Sequence, residues 1–104
     1  MREVEIRVRE LAGTVADGDQ DIGVKLMTRA FNANEGGPLV DSSSDRGERV
    51  AMMNLFQGAI GVFKNPPSHR QVDYADPTVA SEIVLFADLL LRMLDERAGT
   101  LGLS

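Results

Sequence analysis

Cysteine is missing altogether from this chain of 104 residues, and with it go disulfide scaffolds, thiol nucleophiles and cysteine-ligated zinc. A reducing, cytoplasmic setting fits that absence. Histidine is reduced to one residue, His69, so no histidine-rich metal site can be assembled, and neither a metal nor a cofactor is expected. Long apolar runs are missing too. None approaches the ~18 residues of a membrane span, and the charged N-terminus does not read as a signal peptide, so no membrane partner is expected. Positive charge is in deficit: 11 Lys and Arg face 16 Asp and Glu, for a net charge of −5. The molecule as a whole therefore does not attract nucleic acid.

What is present suffices for one domain, taken as residues 1–104. The hydrophobic share of 43% supplies a single core. A domain of this size buries only roughly 60–70% of the surface its unfolded chain exposes, so association would add stability. The acids are unevenly placed. None occurs from Arg49 to Val72, while Arg49, Lys64 and Arg70 do. Two readings stand side by side: a buried helix with its following loop, where acids are unwelcome, or a patch that faces an anion.

Four segments carry helical periodicity, and none shows the sustained alternation of a strand. The first, about residues 2–16, sets Val4, Val8, Leu11 and Val15 on one stripe, with charges such as Glu5, Arg7 and Arg9 over the remainder. The second, about 21–34, has Val24, Met27, Ala30 and Phe31 on its apolar face and is stopped by Gly36-Gly37-Pro38. Leu39-Val40 reads as a short extended piece packing on the bundle. Asp45 with Glu48 resembles a capping box opening a third helix that runs to about Phe63. Its apolar positions (Val50, Met53, Leu55, Phe56, Ala59, Ile60, Phe63) go most of the way round, which predicts a central helix. Gly58 and Gly61 read as sites of close helix approach. Pro66-Pro67 ends this helix. Asp76 as cap and Pro77 at the first helical position start the last one, which Gly99 is expected to stop.

The stretch from Leu55 to His69 ends in Lys64-Asn65-Pro66-Pro67-Ser68-His69. Together with Glu5–Leu11, Leu26–Phe31 and the Ala80–Leu94 helix, it resembles the Ymh-type family of bacterial and phage conserved hypothetical proteins, within the HEPN superfamily. The family signature is a glycine-containing apolar helix ending in Arg-Asn-Pro, two further residues and a histidine. The resemblance implies an all-α fold, an antiparallel four-helix bundle of HEPN type, and a homodimer. A last helix much longer than the first, with apolar surface left over, points to the same association. In active members an arginine, four to six residues and a histidine form a metal-independent ribonuclease site, so RNA is the implied substrate. Phage defence or a toxin–antitoxin role, with an antitoxin or a larger protein as partner, is the implied setting. The family's first helix usually begins further upstream, which leaves open that this chain is a truncated homologue or a fragment.

Carried onto this sequence, the resemblance makes Lys64, Asn65 and His69 the catalytic residues and Arg70 a substrate contact. One departure stands out: Lys64 occupies the arginine's place. The chemistry can be weighed separately. Cleaving RNA without a metal needs a group to take the 2′-hydroxyl proton, which an imidazole with a pKa near ~6.5 does well, and a cation to stabilise the phosphorane. Lys64 supplies charge but not the two-pronged guanidinium grip on phosphate. Plainer roles stand beside these. His69 could bond a backbone carbonyl, Lys64 could serve as a cation at a helix C-terminus, and Arg70 could be a solvated charge. Arg46 and Arg49 lie roughly 20 Å from Lys64 by helical rise and do not belong to the same site. Asp17, Asp19 and Asp21 have calcium-loop spacing without the later Glu, and read as a solvated loop containing an N-cap. The rival function is a non-catalytic helical module for dimerisation or protein interaction.

Overall fold

The computed structural model describes residues 1–13, 21–63 and 76–103, and within them the protein is all-helical. Four helices are formed: α1 Arg2–Ala12, α2 Gly23–Ala30, α3 Arg46–Phe63 and α4 Pro77–Leu101. Val4, Val8 and Leu11 of α1 are buried, as the stripe predicts. They meet Leu26, Met27 and Ala30 of α2, Phe56, Ala59 and Ile60 of α3, and Ala87, Leu90, Leu94 and Ala98 of α4 in one core cluster. Phe31 and Phe56 stack across it with ring centroids 4.5 Å apart, a pairing worth about 0.5–1.5 kcal/mol beyond the area it buries.

Helix ends follow local chemistry, and three differ from the periodicity-based expectation. α1 stops at Ala12 because Gly13 takes a φ of 79°. Val15, Asp17 and Asp19 lie outside the described residues. α2 stops at Ala30, where the Asn32 side chain accepts the N–H groups of Asn34 and Glu35 at 3.0 Å and so draws the backbone into a turn. α4 runs through Gly99 and ends at Gly102, whose φ of 71° is left-handed. There Leu103 donates its N–H to Ala98 at 2.8 Å and Gly102 donates to Gly99 at 3.3 Å, and Leu103 packs on the core. That is a Schellman closure. The two starts read from sequence are found: Asp45 accepts from Glu48 N–H at 2.8 Å, and Asp76 from Thr78 N–H at 2.8 Å ahead of Pro77.

The helices do not all alternate in direction. α2 and α3 run in opposite senses, with Thr28 against Gln57 and Asn34 against Arg46. α3 and α4 do likewise: Phe63 meets Phe86 edge-on at 5.9 Å, while Met52 shares a groove with Met93 and Arg97. α1, however, lies along α4 in the same sense. Met1 and Glu3 line a groove with Ile83 and Leu91, and Arg7 reaches Asp95 at 3.2 Å. The expected antiparallel order therefore fails at α1. Nor is α3 the central helix. Only Phe56, Ala59 and Ile60 of it are buried, while Leu55 and Val62 are 37% and 43% exposed. The reason is that α2 lies between α1 and α3, leaving α3 on a flank.

Glycines sort into two kinds. Gly37 crosses the end of α2 so closely that a Cβ there would stand 2.5 Å from the Arg29 carbonyl oxygen and 2.6 Å from that of Ala30. This approach lets Leu39 donate its N–H to Ala30 at 2.9 Å and bury its side chain completely, in a turn and not the extended piece expected. Gly61 has Val24 against it, whereas Gly58 faces open space, so close approach holds at the first and not at the second within the subunit. Gly58→Ala should therefore raise stability by about 1 kcal/mol from helix propensity alone. Gly37→Ala should lower it by about 1–3 kcal/mol, since the backbone must shift. Urea unfolding of the two variants checks both signs.

Candidate functional site

Lys64, Asn65, His69 and Arg70 all fall in residues 64–75, which lie outside the described residues; so do Pro66 and Pro67. Their mutual geometry is thus neither assembled nor broken by the fold as described. What is described is the frame on either side. The chain leaves α3 at Phe63, whose ring rests edge-on against Phe86 in the middle of α4. It rejoins at Asp76, which caps α4 by accepting the Thr78 N–H. Both ends of the motif-bearing segment are thereby tied to α4. Arg46 sits at the opposite end of α3, where it donates to Asn34 Oδ1 at 2.6 Å. α3 separates it from Phe63, the last described residue before the motif, by about 25 Å at ~1.5 Å per residue.

The most enclosed charged cluster among the described residues joins α1 to α2. Glu5 is only 6% exposed. Its Oε1 accepts the Gly23 N–H at 2.9 Å and an Arg9 guanidinium N–H at 3.2 Å. Arg9 also donates to the Asp21 carbonyl at 3.2 Å. Arg29 grips both carboxylate oxygens of Asp21 and donates to the carbonyls of Ala12 and Gly13, at 3.4 and 2.7 Å. Two unsatisfied carbonyls at the end of α1 and one orphan N–H at the start of α2 are thus closed by side chains from the neighbouring helix.

Chemically this cluster is a clamp. Each acid in it faces a partner, and no group of three or more His, Cys, Asp or Glu stands ready for a metal among the described residues. The Arg29 hydrogen bond, with the guanidinium charge behind it, holds the Asp21 carboxyl below its ordinary value near 3.8, against the opposing effect of burial. The sequence reading missed all of this. It placed Glu5 and Arg9 off the apolar stripe and Asp21 in a solvated loop containing an N-cap, whereas the Asp21 side chain is held by Arg29 and the residue at the cap position is Ile22, with no side-chain cap bond. One signal was present: Glu5 and Arg9 stand four apart on one helix face, in the favourable order for an ion pair.

A family model described as "Protein of unknown function (Hypoth_ymh)" matches residues 1–94. The match spans α1, α2, α3, the 64–75 segment and most of α4. No curated protein and no solved structure matches the chain.

The lowered Asp21 value makes a pH prediction. The unfolded chain binds the proton more tightly than the folded one, so stability rises with pH across the interval between the two values. The Asp21 contribution is complete above about 3.8 and is lost as pH falls through the lower folded value. Thermal melts taken from neutral pH into that acidic range should lose less stability in Asp21→Asn than in the wild type, and that variant should begin less stable at neutral pH.

Proposed function

We propose, on the premise that the chain belongs to the Hypoth_ymh family, that it is a HEPN-like helical domain carrying a metal-independent ribonuclease site in residues 64–70, or that site's weakened descendant. One observation carries the reading. The span matched by the family model, residues 1–94, includes Lys64-Asn65-Pro66-Pro67-Ser68-His69, which stand in the chain between the end of α3 and the cap of α4, within the acid-free stretch 49–72.

In this reading His69 accepts the proton of a ribose 2′-hydroxyl, and the freed oxygen attacks the adjacent phosphorus. The bond to the 5′ oxygen then breaks, and that oxygen takes up the proton that His69, now acting as an acid, gives back. The products are a 2′,3′-cyclic phosphate and a 5′-hydroxyl, so no water and no redox partner enter the step. Lys64 stabilises the negative charge gathering on the phosphorane, Asn65 donates a further hydrogen bond, and Arg70 contacts a neighbouring phosphate. A lysine in the arginine's position grips phosphate as a point charge instead of a fork, and so lowers the rate. A homodimer, a cytoplasmic setting and a role in phage defence or a toxin–antitoxin pair belong to the same proposal.

A second reading is a non-catalytic interaction module. Lys64 in the arginine's place and the net charge of −5 favour it.

The deciding experiment incubates the purified chain with structured and unstructured RNA, with and without EDTA. The nuclease reading expects chelator-resistant cleavage. It expects that rate to fall by about a hundredfold or more in His69→Ala, the usual worth of an acid–base group, and to rise in Lys64→Arg. Wild-type protein indistinguishable from His69→Ala on every RNA leaves the interaction module.

A further inference from the structure

The outer face of α4 carries a seam that no other helix covers among the described residues. Thr78, Glu82, Leu85, Leu89, Arg92 and Glu96 recur at alternating intervals of four and three residues, so they share one stripe of the helix. All six are exposed, and Leu85 and Leu89 are 67% and 54% exposed. The stripe lies opposite Ala87, Leu90, Leu94 and Ala98, which face the core. A 25-residue helix thus buries one side against an 11-residue α1 and the flank of α3, and leaves a second, heptad-spaced side open.

We infer that this seam is the contact face for a second copy of the chain, with the two α4 helices antiparallel about a two-fold axis beside position 87. The register comes from the seam itself. Leu85 and Leu89 lie equally far on either side of that position, and so do Glu82 and Arg92, and Thr78 and Glu96. One axis therefore sets Leu85 on Leu89 of the second copy and, at the same time, Glu82 against Arg92 of the second copy, each pair occurring twice. The apolar centre is flanked by opposite charges that complete one another.

The charges also reject the alternative. A parallel pairing in register would bring Glu82 to Glu82 and Arg92 to Arg92, a like-charge repulsion at both ends of the leucine pair. In the subunit Arg92 is spent on a loose intrahelical contact with Asp88 at 3.5 Å, with its side chain 78% exposed, so it is free to turn outward. Two leucine layers make a modest interface, and the dimer dissociates on dilution. The assignment does not depend on the nuclease reading, because it is read as mass and not as cleavage.

Sedimentation equilibrium of the full chain over a concentration series tests it, with circular dichroism as the check on folding. Wild type is expected to be dimeric at high concentration, and Leu89→Glu monomeric with unchanged helicity. Glu82→Arg and Arg92→Glu each make both symmetry-related pairs repulsive and are expected to raise the dissociation constant about tenfold or more. The double variant, with the charges exchanged, is expected to return toward wild type, which a merely damaged helix would not do. A wild type that stays monomeric throughout, a dimer indifferent to Leu89→Glu, or a folded double variant no tighter than the singles overturns the assignment.

Discussion

The arrangement depends on holding α2 in place. Eight residues make little more than two turns, too few for a helix to persist by its own hydrogen bonds. Yet this is the helix between α1 and α3, and it contributes Leu26, Met27 and Ala30 to the core. Its stability is lent from outside at both ends. At the start, Glu5 from α1 satisfies the Gly23 N–H. At the finish, the chain doubles back over the last carbonyls at Gly37, and Leu39 closes onto Ala30. Burying the Glu5 carboxylate is costly by itself, and the Arg9 guanidinium and the Gly23 amide offset that cost. Removing either neighbour of α2 would leave orphaned polar groups as well as an apolar gap.

Much of the architecture was legible because apolar spacing and helix caps are local signals. Val4, Val8 and Leu11, and the caps Asp45 and Asp76, needed only their near neighbours in sequence to be recognised. The misreadings share a different cause. The early ends of α1 and α2 are set by Gly13 and by the Asn32 side chain, which compete with a periodicity that would have let the helices continue. The direction of α1 along α4, and the flank position of α3, are properties of the assembled bundle and leave no trace in a single helical stripe. The apolar positions on α3 were correctly identified. Which of them would be covered was not, because that depends on which helix comes to lie in the middle.

The motif rests on another kind of signal, residue identity at a fixed spacing; its residues lie outside the described ones and within the span that the family model matches. The surrounding fold adds an anchor. Phe63, immediately before Lys64, is fixed on Phe86 of α4, and Asp76 fixes the other end. Helix α4 therefore serves three tasks at once: a core face, a support for both ends of the motif segment, and an outward seam. Its continuous length, closed firmly at Asp76 and Gly102, is what allows one element to do all three.

The carboxylate that steadies α2 also forecloses an option. Free amides at the beginning of a helix, with the positive end of its dipole behind them, commonly seat phosphate or sulfate. Here Glu5 already occupies that position on the Gly23 amide. The domain carries its own anion there, so an incoming polyanion finds that berth taken and has to be gripped by side-chain cations elsewhere on the surface.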